Sequence, residues 1–247
     1  MHAKEGVDPH DHDLEDTPRV LHADGGVVAL AKPAGLATQA PPGAASVEAW
    51  LRGTLPEGAY VGVPHRLDRA VSGVLLLAVT PRAARKLSRQ FERREIEKAY
   101  LASLTGPAAD AVTSERESTW RDWIIKIPDE PRARIAGADE PGARAAETRV
   151  RFLGGSGPGV LGVRFDPLTG RMHQLRVQAA ARGLPIVGDT LYGAAPEPAA
   201  PADPRRRPIA LHAWRITYAD PETGRIIRVE APPPLGWPVD LIAAAGS

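Results

Sequence analysis

One carboxylate in this chain stands in a setting suited to chemistry. Asp68 lies in Pro64-His65-Arg66-Leu67-Asp68-Arg69-Ala70-Val71-Ser72-Gly73, directly between two arginines. Neighbouring positive charge favours the ionised form of an acid. An ionised, oriented carboxylate is what a covalent nucleophile requires. The same residues also suit a structural Arg–Asp loop pair, because ion-pair networks of that kind are common. A second candidate is Arg176, in Gly170-Arg171-Met172-His173-Gln174-Leu175-Arg176-Val177. If this stretch is helical, Met172, Arg176 and Ala179 or Ala180 share a face. An arginine beside a packed face calls for a carboxylate partner, and Asp68 is the natural candidate. A third is Tyr100, in the alternating stretch Lys98–Thr105. On its own, a tyrosine in a strand is ordinary packing.

These side chains need a scaffold. The run Val74-Leu75-Leu76-Leu77-Ala78-Val79 follows the turn signal Ser72-Gly73 and reads as a fully buried strand. Asp68 then sits in a loop anchored to the core, where a rigid element can hold a reactive group still. Upstream, Val20–His22 and Val27–Ala31 flank Asp24-Gly25-Gly26 as a hairpin. Ser46 is an N-cap for a short helix over 47–52. Thr80-Pro81 opens a helix to about Arg94, with Ala84, Leu87 and Phe91 at helical spacing. Residues 82–98 carry a basic excess that suits either a phosphate-facing stripe or a solvated face. Strands follow between 112 and 153, with Trp120 and Trp123 read as packing. The glycine-rich stretch 154–159 lacks the pattern of a phosphate loop and reads as a hairpin turn between strands 148–153 and 160–165. A helix over 171–182 closes at Gly183. The Pro/Ala-rich stretch 194–208, with Arg205, Arg206 and Arg207, reads as a surface loop. A last hairpin covers 209–231. Strands dominate without regular alternation with helices, so the fold class is α+β rather than a doubly wound sheet.

Composition narrows the chemistry. The 247 residues include no cysteine, which removes disulfides, thiolate nucleophiles and cysteine–zinc sites and fits a reducing compartment, here expected to be the cytoplasm. No apolar run approaches the ~18 residues of a membrane span, and no secretory signal is visible. Residues 1–17 hold six acids against Lys4, a net of −5, which leaves +6 for the rest of a chain whose net charge is +1. The expected organisation is a disordered acidic tail over 1–17 and one catalytic domain over 18–240. His10-Asp11-His12-Asp13 could bind metal weakly, but an unstructured segment lacks the geometry of a site. A basic body is compatible with nucleic-acid binding.

Three stretches, in order, carry a resemblance. His65-Arg66-Leu67-Asp68-Arg69-Ala70-Val71-Ser72-Gly73 with its apolar strand resembles the signature of the RluA family of RNA pseudouridine synthases. Lys98-Ala99-Tyr100-Leu101-Ala102 is similar to the family's tyrosine motif. Residues 170–177, running on to Pro185–Asp189 and Leu191-Tyr192-Gly193, are similar to its arginine motif. Lys32-Pro33-Ala34-Gly35-Leu36 also resembles an early family segment. The resemblance covers roughly Arg19 to Pro234 and implies the pseudouridine synthase fold, one catalytic domain on a mixed, mainly antiparallel sheet with flanking helices. It implies an isomerase that converts specific uridines in ribosomal or transfer RNA, with no metal, nucleotide or redox cofactor. It further implies Asp68 as the essential carboxylate and Arg176 as its pairing partner. Tyr100 would stack on the flipped uracil, and Arg66 would fill the gap that the base leaves. Val71, Met172 and Gln178 depart from the family pattern. The partner expected is structured RNA, with neither DNA nor membrane, and the protein is expected to be a monomer.

Two other readings compete. A glycosidase-like hydrolase would need two carboxylates about 5–10 Å apart. No second acid is close to Asp68 in sequence, and the placement of Asp189 is open. A catalytically inactive RNA-binding protein of the same fold would not need Asp68, Tyr100 and Arg176 all intact. RNA specificity is expected in 82–98, 112–145 and 194–208.

Overall fold

The computed structural model describes residues 17–106, 117–157, 159–195, 207–234 and 237. The acidic segment with His10–Asp13, and Arg205 and Arg206 of the Pro/Ala-rich stretch, lie outside the described residues. The chain opens with the expected hairpin, β1 (Arg19–Asp24) and β2 (Val27–Lys32). Helix α1 (Val47–Thr54) follows, and Ser46 Oγ accepts from the Ala49 amide at 3.1 Å. Strand β3 (Ser72–Ala78) is buried along its whole length. Helix α2 (Pro81–Glu92) is capped by Thr80, whose Oγ1 takes the Ala83 amide at 3.1 Å. Then come β4 (Glu97–Thr105), β5 (Glu117–Lys126), β6 (Ala133–Ala136), β7 (Arg144–Gly157) and β8 (Val160–Pro167). Helix α3 (Gln174–Ala180) and strands β9 (Leu211–Ala219) and β10 (Ile226–Glu230) complete the fold.

The strands form one sheet in the order β1-β2-β3-β9-β4-β8-β7-β5-β6, with β10 also paired to β9. Every named strand pair is antiparallel except β3 with β9, so the sheet is mixed and mainly antiparallel, as expected. The uninterrupted apolar run of β3 has a direct cause. Val74, Leu76 and Ala78 pack with Ala83 and Leu87 of α2, while Leu75 and Leu77 pack with Val47 and Leu51 of α1. A strand covered on both faces shows no polar alternation. Each fully buried leucine contributes about 1.5–3 kcal/mol, which makes β3 a fixed reference for the loop before it.

The parallel contact is short: Ser72 opposes His212 and Gly73 opposes Ala213. Gly73 has φ 117°, and a Cβ there would collide with the Ala213 backbone carbonyl, so only glycine permits this approach. Ser72 Oγ lies 2.8 Å from His212 Nδ1, and His212 Nε2 donates to the Ala231 carbonyl at 3.1 Å. Burial lowers the pKa of His212 to about 4, so the ring is neutral and serves as a fixed strut.

Two expectations shift in detail. The third helix starts at Gln174 rather than Arg171, because His173 takes a left-handed conformation (φ 52°) and turns the chain first. The glycine-rich stretch is not all turn, because β7 runs on through Gly157. Among the described residues, no helix is long and apolar enough to cross a membrane.

Candidate active site

The loop that carries Asp68 is pinned from beneath. Lys32 is only 2% exposed, and its ammonium donates to the carbonyls of Pro33 (2.8 Å), Leu36 (2.7 Å) and Arg69 (3.2 Å). Thr38 Oγ1 donates to the Leu67 carbonyl at 2.9 Å and accepts the Leu67 amide at 3.1 Å. The Gly35 amide donates to the Arg69 carbonyl at 2.7 Å, and the Val71 amide to that of Asp68 at 3.1 Å. Lys32 and Gly35 thus hold the backbone just after Asp68, at Arg69, and Thr38 holds it just before, at Leu67. Burial lowers the Lys32 pKa to about 7, with the Asp68 charge opposing the shift.

Arg176 reaches the loop from α3. Its Nη1 stands 3.2 Å from Asp68 Oδ2, across 108 residues of sequence. A stronger partner holds its other edge: Nε donates to Asp189 Oδ2 at 2.7 Å and Nη2 to Oδ1 at 2.8 Å. This is a two-pronged guanidinium–carboxylate fork, short and directional. Asp189 is 1% exposed and does not line the cavity that Asp68 lines. Burial works against the charge on Arg176, but Asp189 and then Asp68 outweigh it and raise the pKa.

His173 and Tyr192 complete the cluster. His173 Nε2 lies 3.6 Å from Asp68 Oδ2, and its Nδ1 lies 2.8 Å from the Tyr192 hydroxyl. That hydroxyl already accepts the Ala133 amide at 2.8 Å. In the tautomer in which this hydroxyl donates to Nδ1, the remaining ring proton sits on Nε2, facing Asp68. Burial pulls the His173 pKa down, which favours this neutral form. The Arg176 guanidinium also rests over the Tyr192 ring at 5.1 Å.

Tyr100 enters from β4. A register shift against β9 between Ala99 and Tyr100 re-aims this part of the strand. Burial and then the Asp68 charge raise the pKa of the Tyr100 hydroxyl, so it stays protonated. Asp68, Tyr100, His173 and Arg176 line one cavity of about 570 Å³, within the range of small-molecule sites. Arg66 stands on its wall, exposed, and among the described residues neither Arg66 nor Arg69 makes an ion pair with Asp68. Adjacency in sequence had suggested those two arginines as the partners. The groups that approach the carboxylate are Arg176 and His173.

The turn before α3 is fixed by Gln174. Its Oε1 accepts the Arg171 amide at 3.0 Å and the Thr169 hydroxyl at 2.7 Å, while its Nε2 donates to Thr148 Oγ1 at 2.9 Å. Gln178, one of the departures from the family pattern, is fully buried; it accepts from Thr148 Oγ1 at 2.7 Å and donates to Asp122 at 2.7 Å. Val71 is a core residue, and Met172 is 37% exposed at the cavity edge. Trp120 is buried, as packing requires, while Trp123 is 39% exposed. Among the described residues, no group of three or more His, Asp or Glu side chains is placed to hold a metal ion.

A family profile described as RNA pseudouridylate synthase matches residues 26–181. The dual-specificity RNA pseudouridine synthase RluA of Yersinia pestis is 35% identical over 208 residues, covering 83% of this chain and 94% of that protein. The ribosomal large subunit pseudouridine synthase C of Salmonella typhimurium is 32% identical over 233 residues, covering 93% of this chain and 71% of that one. Among solved structures, human RNA pseudouridylate synthase domain containing 1 superposes with a TM-score of 0.70 at 27% identity, covering 93% of this chain and 88% of that one. Human RNA pseudouridylate synthase domain containing 4, at 21% identity and a TM-score of 0.68 over 91% of this chain and 92% of that one, shares the fold. With the profile spanning more than half of its residues and relatives aligned over most of their length, the chain belongs to the RluA family of RNA pseudouridine synthases, isomerases that act on uridine in RNA.

Proposed function

We propose that this enzyme isomerises specific uridines of ribosomal or transfer RNA in the cytoplasm, with Asp68 as the essential carboxylate. The observation that supports this most is the convergence on one Asp68 oxygen of the Arg176 guanidinium at 3.2 Å and the His173 ring at 3.6 Å, inside a cavity that Tyr100 also lines. The reaction breaks the bond from ribose C1′ to uracil N1 and rejoins C1′ to C5; a proton leaves C5 and N1 gains one. The target base must first leave its stack, at a cost of a few kcal/mol.

A carboxylate has three ways to assist: attack at C1′, addition to the base, or removal of a ribose proton. All three need it ionised and aimed. Arg176 supplies the aim, because its fork with Asp189 fixes the guanidinium plane before RNA arrives. His173 presents an N–H to the same oxygen. Tyr100, held protonated, offers a ring face for uracil and a hydroxyl beside the reacting centre. Arg66, exposed on the cavity wall, is placed to occupy the space that the flipped base vacates, a role that suits a planar cation. The hydrolase reading loses ground, because Asp189, the other carboxylate on Arg176, has both oxygens bound by that guanidinium and lies off the cavity wall.

The test is pseudouridine mapping of total RNA from cells with the gene intact or deleted, complemented by wild type or Asp68→Asn. A site lost on deletion and restored only by wild type is the expected result. Restoration by Asp68→Asn would refute the role of Asp68.

A further inference from the structure

Three cations at the cavity mouth have no acidic partner among the described residues. Lys98 lines the 570 Å³ cavity and also the adjoining groove of about 1100 Å³ along β4, β7 and β8. It is half-buried, yet its ammonium makes no hydrogen bond or ion pair among the described residues. Burial lowers its pKa, and no carboxylate opposes the shift. Its ammonium lies 3.9 Å from where a Cβ on Gly170 would stand, against the turn that carries Arg171. Arg171 is tethered by Nε to the Ala145 carbonyl at 2.9 Å, which leaves both terminal nitrogens uncommitted. Burial first, and then the charges of Arg94 and Arg144, disfavour its charged form, and no acid relieves it. Of the acids that line the cavity and the groove, Asp68 faces Arg176, Glu117, Glu147 and Asp166 pair with Arg151, Arg121 and Arg164, and Glu92 and Glu97 are exposed and pair with none of the three.

Arg94 adds an independent sign. It lines both cavities and ends α2 with φ 60°, in the left-handed region. The Arg94 amide donates to the Phe91 carbonyl at 3.1 Å, and the Glu95 amide to the Gln90 carbonyl at 2.9 Å. That is the helix-ending motif whose left-handed position ordinarily takes glycine. An arginine there is held against its backbone preference, and strain of this kind points to function.

We propose that Arg94, Lys98 and Arg171 form a phosphate-binding station at the cavity mouth, which takes a backbone phosphate of the RNA next to the target nucleotide. A neutral base carbonyl would occupy one donor and leave the like charges unrelieved, whereas a phosphate neutralises them together and accepts from several donors at once. The groove beyond Lys98 then leads the strand away along β7 and β8. This rests on the reading that RNA enters the cavity lined by Asp68.

The test is RNA binding across a salt series, with a fluorescently labelled transfer RNA transcript and an unrelated hairpin of equal length. Arg94→Gly, Lys98→Met and Arg171→Gln should each reduce the slope of log affinity against log salt, and the triple variant should reduce it by about 0.7–0.9 in total, the share of one phosphate, equally on both RNAs. Arg225→Gln, an exposed arginine in the β9–β10 turn, should leave the slope unchanged. Arg94→Gly should also raise the melting temperature while it weakens binding, which separates loss of contact from loss of fold. Wild-type slopes in all three variants, or an equal drop in Arg225→Gln, would overturn the phosphate station while leaving the assigned reaction intact. A wild type that binds neither RNA would remove the proposed function as well.

Discussion

Replacing Asp189 by asparagine isolates the part of the site that contacts no substrate. Asp189 is 1% exposed, and the Arg176 side chain 7%. Their fork consists of two bonds at 2.7 and 2.8 Å. Removing one member of a buried pair costs about 3–5 kcal/mol, chiefly because the other charge is left uncompensated. Asparagine keeps one acceptor, and Asp68 still faces the guanidinium, so the loss should fall lower, at about 2–3 kcal/mol. The second effect is on geometry. Released from its fork, Arg176 loses the fixed plane that presents Nη1 to Asp68, and kcat should fall at least tenfold, about 1.4 kcal/mol of barrier, with little change in KM. Urea unfolding reads the first effect. Tritium release from RNA labelled at uracil C5 reads the second, because that hydrogen is lost when C5 joins the sugar. Arg176→Lys should lose kcat similarly, since a point charge cannot span both carboxylates. An Asp189→Asn protein within about 0.5 kcal/mol of wild type and with wild-type kcat would refute the reasoning.

Acid stability should depend on His65, whose Nε2 accepts the Leu76 amide at 2.9 Å and whose pKa burial, then Lys98, lowers to about 3. The unfolded chain takes that proton near pH 6.5 and the folded chain does not, so stability falls as pH drops from about 6.5 toward 3, by on the order of 5 kcal/mol. His65→Gln keeps an acceptor and should flatten that limb of a stability-versus-pH curve; an unchanged limb would rule the residue out as its source. Tyr192→Phe removes the group that sets the His173 tautomer and should lower kcat about tenfold with KM nearly unchanged; wild-type kcat would mean the hydroxyl only packs. Gly73→Ala meets both a positive φ and the Ala213 carbonyl and should cost at least ~3 kcal/mol, which differential scanning calorimetry would show as a large drop in Tm.

The scaffold was legible where local chemistry decides it. The β3 run carries no polar residue because helices cover both of its faces. Thr80-Pro81 and Ser46 cap their helices with their own hydroxyls. The start of α3 was not legible, because the residues that would extend it are tied down from outside: Gln174 binds Thr169 and Thr148, and His173 turns left-handed. That Asp68, Tyr100 and Arg176 would share one cavity was legible through their motifs. What the motifs could not disclose was how the charges divide. Arg66 and Arg69 flank Asp68 in sequence, but successive side chains along an extended loop diverge. The groups that reach the carboxylate come from 105–108 positions away, in a turn whose direction depends on Gln174. Asp189 stood in a matched segment with nothing to mark it as the anchor of Arg176. Lys32, likewise, stood in a segment marked only by its resemblance, with nothing in the sequence to show a buried clamp.

The most direct test of the central claim is single-turnover isomerisation by purified wild type and Asp68→Asn on C5-tritiated ribosomal and transfer RNA transcripts, with RNA affinity measured in parallel. The account predicts tritium release and pseudouridine with wild type, and unchanged binding with neither product for Asp68→Asn. Product formation by Asp68→Asn at the wild-type rate would contradict it.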